Sequence, residues 1–137
     1  MKRYVSRLLA GAALSMSAVL AACSDSTSAA TPGVVTASLT TPSNDDGAVA
    51  VTITGPGVST VQAVNSSYLL YFRLASDGEM RVIIVGNLVA GPLFSVGVAD
   101  VGNLGHYVVT VNDVVTRADS ARASLAGYGV TLTTAGR

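Results

Sequence analysis

Beyond residue 33 the chain contains recurring apolar runs of six to ten residues rich in Val, Thr and Ile, and clusters of Gly, Pro, Asn, Asp and Ser separate these runs. β-branched residues fit a pleated surface better than a helix, and the clusters are typical of turns. We therefore predict strands over 34–40, 47–54, 58–64, 68–75, 79–86, 93–99, 106–115 and 128–134. Short strands at this spacing predict an all-β fold, a two-sheet antiparallel sandwich of about eight strands.

The residues on either side of Asp77-Gly78 predict a hairpin with a three-residue loop over 76–78, in which Ala75 faces Glu79 and Gly78 is left-handed. This register places six apolar residues on one face: Leu70, Phe72, Leu74, Met80, Val82 and Ile84. We expect this face to be core, and Phe72→Ala should then cost about 3–5 kcal/mol.

The opposite face of the same hairpin is the candidate interaction face, defined by Tyr71, Arg73, Arg81 and Ile83. A mixture of Tyr, Arg and aliphatic side chains is favoured at protein interfaces when it is exposed. Alternatively, a helix or a neighbouring strand covers it. Arg73 and Arg81 lie opposite each other in this register and repel unless an acid, Asp113 or Asp119, lies between them.

Residues 117–126 depart from the strand pattern. Thr116 and Asp119 resemble a capping box, and Gly127 is a natural stop signal. We predict one short helix here, before the last strand, with an irregular loop as the alternative.

Candidate catalytic and metal-binding residues are few. His106 is the only His, and neither a second His nor a free Cys accompanies it. Asp45 and Asp46 lie in an Asn-Asp-Asp-Gly run, which is typical of a turn and only a weak calcium candidate. The sequence therefore predicts no catalytic residue, no metal and no cofactor.

Charge excludes one class of partner. The chain has 8 basic and 8 acidic side chains, and charged residues make up 12% of it. A nucleic-acid-binding protein needs a basic stripe that neutralises phosphates, so we expect no nucleic-acid partner.

The N-terminus carries a targeting pattern. Lys2, Arg3 and Arg7 precede an apolar stretch over 8–19, which is too short to span a bilayer as a helix and favours a signal peptide. Leu20-Ala21-Ala22-Cys23 then follows, with the chain's only Cys at its end.

These four residues resemble the lipobox of bacterial lipoproteins, which is Leu, two small residues and Cys. The resemblance implies that Cys23 becomes the N-terminus and carries a diacylglyceryl group, with a further acyl chain such as palmitate on the new amine. We expect a signal peptide over 1–22, lipidated Cys23 and a flexible tether over 23–33, and a sandwich domain over 34–137. Ser24 favours the outer membrane of the cell envelope over the inner one, and leaves the periplasmic or surface face open.

The mature domain also resembles cohesin-like and immunoglobulin-like modules in the run from Gly47 to Thr54 and in the later run Gly91 to Val96. The resemblance implies a sandwich that binds proteins or carbohydrates, and it transfers no functional residue. We expect a lipid-anchored, non-catalytic binding module of the envelope. A structural subunit of an envelope assembly and a hydrolase that uses an Asp or His106 remain alternatives.

Replacing Cys23 by Ala tests the anchor. We expect Cys23→Ala to release the protein from the membrane fraction or to leave it unprocessed, because no acyl chain can be attached. Fractionation and mass spectrometry measure both outcomes, and normal maturation with unchanged membrane association would exclude the lipid anchor.

Overall fold

The computed structural model describes residues 28–135, and within them eight strands form two antiparallel four-stranded sheets. The strands are β1 (Gly33–Thr40), β2 (Asp46–Thr54), β3 (Val61–Ala63), β4 (Leu69–Leu74), β5 (Met80–Leu88), β6 (Gly91–Val98), β7 (Val108–Thr116) and β8 (Gly129–Thr134). Sheet A has the order β3-β6-β1-β8, and sheet B has the order β4-β5-β2-β7. The predicted all-β sandwich is confirmed.

The core lies between the two sheets and consists of the residues that each strand turns inward, which alternate along β1, β2 and β5. Inward side chains from the central strands are at most 3% exposed: Val35, Ala37 and Leu39 of β1, Val49, Val51 and Ile53 of β2, Met80, Val82 and Ile84 of β5, and Leu93, Phe94 and Val96 of β6. β-branched side chains dominate this set because they pack well on a pleated surface. Burial of these two faces stabilises the fold.

The hairpin between β4 and β5 has the predicted loop and register. Ala75 N–H donates to Glu79 O (2.8 Å), and Gly78 N–H donates to Ala75 O (3.1 Å). Gly78 has a φ of +82°, which a residue with a side chain rarely adopts. Phe72 pairs with Val82, so both lie on the inner face of sheet B.

The expectation that this whole inner face is core is wrong for β4. Phe72 and Leu74 are 51% and 52% exposed, whereas Val82 and Met80 opposite them are 1% exposed. The reason is the strand order: β4 is the edge of sheet B, and β3, at an edge of sheet A, has only three residues and makes few contacts with it. Sheet A therefore leaves much of the inner face of β4 uncovered.

The helix predicted over 117–126 is absent, and this segment forms turns instead. Thr116 Oγ1 accepts hydrogen bonds from the N–H groups of Ala118 and Ser120, and these bonds stabilise a turn instead of the start of a helix. Asp119, however, has a φ of +57°, which a right-handed helix cannot include. The chain reverses there, and Val115 bridges to Ala121. The only helical element among residues 28–135 is a 3-10 turn at Leu104–His106.

The sandwich begins slightly before the predicted boundary. Thr31 N–H donates to Asp100 Oδ1 (3.2 Å), and Val101 N–H donates to Thr31 O (2.9 Å), so the last part of the predicted tether is fixed to the domain. Cys23 and the predicted signal peptide lie outside the described residues. Within residues 28–135, no helix has the length and apolar character that crossing a bilayer requires.

The difference in burial between β5 and β4 predicts a difference in stability. Ile84→Ala should lower the free energy of unfolding by about 3–4 kcal/mol, because it empties a fully buried position. Phe72→Ala should cost only about 1–2 kcal/mol, because half of that side chain already contacts solvent. Denaturant unfolding measures both, and equal losses would contradict the burial described above.

Candidate functional site

The candidate interaction face is assembled and exposed on the outer side of sheet B. Tyr71 pairs directly with Ile83, and Arg73 pairs directly with Arg81. Tyr71 is 61% exposed and Ile83 is 47% exposed. No described element covers these four residues, so the alternative in which a helix or strand buries them is excluded for residues 28–135.

Glu79 is the acid that pairs with Arg81, one of the two Arg side chains. Its Oε1 lies 2.6 Å from Arg81 Nε, and this hydrogen bond together with the charge of Glu79 raises the pKa of Arg81 above its ordinary value. The expectation that Asp113 or Asp119 plays this part is wrong. Asp113 pairs with Ala50 on the far side of β2, and Asp119 lies in the turn after β7. Glu79 precedes Arg81 by two residues on the same face, and this spacing is a signal that was present in the sequence.

A shallow groove of about 600 Å³ adjoins the interaction face. Small side chains of β2, including Ala50 and Thr52, form its floor, and Arg81 and Ile83 flank it on one side. On the other side, Asn112 Oδ1 accepts a hydrogen bond from Thr52 Oγ1 (2.8 Å). The groove offers hydroxyl, amide and guanidinium groups beside an aliphatic one, which suits an extended polar ligand.

The groove could not be predicted from the sequence. Thr52 and Asn112 are 60 positions apart, and a register shift between Ala50 and Val51 in the β2–β7 pairing places Asn112 beside Thr52. No local pattern specifies which strands become neighbours, and a bulge changes which residues face each other.

A second polar cluster is centred on the buried carboxylate of Asp46. Thr41 Oγ1 donates to one oxygen (2.6 Å), and Arg122 Nη2 and the Tyr128 hydroxyl both donate to the other (2.8 Å each). Burial by itself would raise the pKa of Asp46, but these hydrogen bonds and the charge of Arg122 together hold it below its ordinary value. Asp46 is therefore an ionised carboxylate inside a set of donors.

This cluster holds two distant loops together. Arg122 also pairs with Asp45, and Arg117 Nη2 donates to Asn44 O (2.7 Å). The segment after β7 is thereby fixed to the loop between β1 and β2. The same contacts oppose a calcium site at Asp45 and Asp46, because donors and a cation occupy the oxygens that the metal would need.

His106 is exposed on the 3-10 turn, where its Nε2 lies 3.2 Å from Asn103 Nδ2. No carboxylate within residues 28–135 forms a hydrogen bond or ion pair with it. Nor do the described residues contain a group of three or more His, Cys, Asp or Glu side chains placed to hold a metal ion. Asn103 is therefore the one side chain among residues 28–135 that forms a hydrogen bond with the His106 ring.

Comparisons of the chain with protein-family models, with curated proteins and with solved structures give no match.

Asp46→Asn tests the ionised state of the buried cluster. The pKa of Asp46 in the folded state is below its ordinary value of 3.8, so the unfolded chain binds more protons in the acid range. The stabilisation is therefore complete above about pH 4 and is lost as the pH falls below it. Asp46→Asn should be less stable at pH 7 by about 2–4 kcal/mol and should lose less stability on acidification.

Asp113→Asn is the matched control, because it makes the same change at an exposed carboxylate. It should keep the natural stability at pH 7 and the natural dependence on pH, measured by denaturant unfolding between pH 2 and pH 7. An Asp46→Asn variant that behaved like this control would contradict the role given to the cluster.

Proposed function

We propose that the chain is a lipid-anchored, non-catalytic binding module of the bacterial cell envelope, which contacts its ligand through the interaction face and the adjoining groove. The observation that supports this proposal most is the exposure of Tyr71 and Ile83 beside the pair Arg73 and Arg81 on the outer side of sheet B. Tyr and Arg are the residue types that contribute most to binding where a partner desolvates them.

The charge of this face indicates the chemistry of the ligand. Glu79 forms an ion pair with Arg81, whereas Arg73 has no ion-pair partner among residues 28–135. The face is thus locally positive, although the chain from Cys23 onward has five Arg, no Lys and eight acids, a formal net charge of −3. A protein or glycan that presents carboxylates beside an apolar surface fits the face best.

The proposed anchor would hold this face near the membrane. Thr31 is fixed to Asp100, which leaves residues 24–30 as the tether from Cys23. A flexible linker of this length has a root-mean-square reach of about 15 Å, so the sandwich would stay close to the lipid headgroups. The ligand would then be another component of the envelope.

A structural subunit of an envelope assembly is the second candidate. One observation favours it: β4 is an edge strand whose Leu69, Tyr71 and Leu74 are all more than half exposed. An exposed edge of this kind can pair with another strand.

Photo-crosslinking in intact cells tests the binding face. A benzophenone amino acid at position 83 lies in the middle of the face, and the same residue at position 133 lies on the outer side of sheet A as the control. We expect position 83 to give a discrete adduct that position 133 does not give. Arg81→Glu should abolish this adduct, because it reverses the charge beside the probe.

Adduct formation at both positions, or persistence of the adduct in Arg81→Glu, would contradict binding at this face. Cys23→Ala in the same cells separates the two parts of the proposal. It should remove the anchor and leave the surface of the folded domain unchanged.

A further inference from the structure

The free edge of β4 differs from the other sheet edges. Its six residues are Leu-Leu-Tyr-Phe-Arg-Leu, and four of them are large apolar side chains that are more than half exposed: Leu69, Tyr71, Phe72 and Leu74. Proteins usually protect an edge with charges, bulges or very short strands. β3 is short, β7 carries Asp113 and a register shift, and the exposed residues of β8 are all Thr, whereas β4 exposes large apolar side chains and has only Arg73 as a charge.

The hairpin shows which backbone groups of β4 point away from the sheet. The N–H of Ala75 donates to Glu79 O, and the C=O of Ala75 accepts from Gly78 N–H, so both groups point toward the β5 side of the hairpin. Because this direction alternates along an antiparallel strand, Tyr71 and Arg73 bond to β5, and Leu70, Phe72 and Leu74 point their N–H and C=O groups outward. No described strand pairs with these outward groups.

We propose that β4 pairs antiparallel with β4 of a second copy of this chain, with Phe72 opposite Phe72 at the two-fold axis. This pairing would join the two B sheets into one continuous sheet of eight strands. It goes beyond the proposed binding function, because it uses the edge of the sheet rather than its outer face and does not require the lipid anchor.

The hydrogen bonds select this register. With Phe72 opposite Phe72, Leu70 faces Leu74 of the partner, so all outward groups of both strands are matched with each other. A register centred on Tyr71 would instead place Leu74 opposite Tyr68. Tyr68 N–H already donates to Asn65 O (3.0 Å) and is not free to pair.

The side-chain contacts across the pairing also favour this register. On the inner face, Phe72 would contact the partner's Phe72, and Leu74 would contact the partner's Leu70. Sheet A leaves both Phe72 and Leu74 half exposed in the single chain. On the outer face, Arg73 would lie opposite the partner's Tyr71, where a guanidinium can stack on an aromatic ring. A register centred on Arg73 would place the two cations opposite each other, which is unfavourable.

A single pair of six-residue strands is a small interface, so we expect a reversible dimer whose population depends on concentration. If the chain is anchored as proposed, confinement to a membrane surface raises the effective concentration of copies. The dimer would then be favoured at the membrane over dilute solution.

Cysteine crosslinking of the full chain tests both the pairing and its register. In the proposed dimer, the two Cα atoms at position 72 are about 5.5 Å apart, within the range that a disulfide spans. Those at position 71 are about 8 Å apart, too far for a disulfide. Oxidation of membranes with diamide, which accepts the two electrons and two protons of the thiols, should therefore give a covalent dimer with Phe72→Cys and none with Tyr71→Cys.

Three controls complete the experiment. The natural chain contains only Cys23 and gives the background. Leu70→Cys should not dimerise alone but should crosslink when mixed with Leu74→Cys. Phe72→Lys should shift the purified chain from dimer to monomer in sedimentation velocity. It should still unfold in one cooperative thermal transition, at a temperature close to that of Phe72→Ala, because position 72 is half exposed.

Three results would overturn the proposal: no dimer from Phe72→Cys in a folded chain, a stronger dimer from Tyr71→Cys, or an adduct of Phe72→Cys with a different protein. The last result would assign the edge to an extended strand of another partner.

Discussion

The main constraint on this sandwich is that each sheet must cover the apolar inner face of the other. The central strands satisfy it, and their inward residues are almost completely buried. At the β3–β4 side it is not satisfied, since three residues of β3 lie at the edge of one sheet and six residues of β4 at the edge of the other. The exposed inner face of β4 follows from this mismatch, whereas its free backbone edge follows from its place at the end of sheet B.

The buried Asp46 cluster fixes the position of the connection between β7 and β8. The connection between β7 and β8 contains no helix or named strand. Its backbone is joined to β7 and to the β1–β2 loop by hydrogen bonds from Arg122 N–H to Val114 O (2.8 Å) and from Arg117 N–H to Asp45 O (2.8 Å). Arg122 and Tyr128 attach it to Asp46, and the carboxylate gains enough donors to remain ionised without contact with solvent. Burial of a charge lowers the free energy of unfolding unless an opposite charge and hydrogen bonds compensate for the lost water. The loop therefore adopts a conformation that brings Arg122 and Tyr128 to Asp46.

Local patterns were sufficient to predict much of the fold. Apolar runs rich in β-branched residues, separated by turn clusters, located all eight strands. The Asp77-Gly78 loop fixed the register of β4 against β5, so the interaction face could be predicted as a group. Strand order could not be predicted in this way, because no local pattern specifies which strands become neighbours. The position of β4 at an edge, which exposes Phe72, was therefore not predictable. Nor was the groove, where Thr52 contacts Asn112 across 60 positions. The helix predicted over 117–126 failed because a contact between Arg122 and Asp46, 76 positions apart, outweighed local preference.

Backbone hydrogen exchange along β4 is the most direct test of the free edge. In dilute solution, the amides of Leu70, Phe72 and Leu74 should exchange rapidly, while those of Tyr71 and Arg73 should be protected by their bonds to β5. At high concentration the three rapid amides should become protected as the second strand pairs with them. Uniform protection of all five amides at every concentration would mean that this edge is already covered within a single chain, and it would contradict the account.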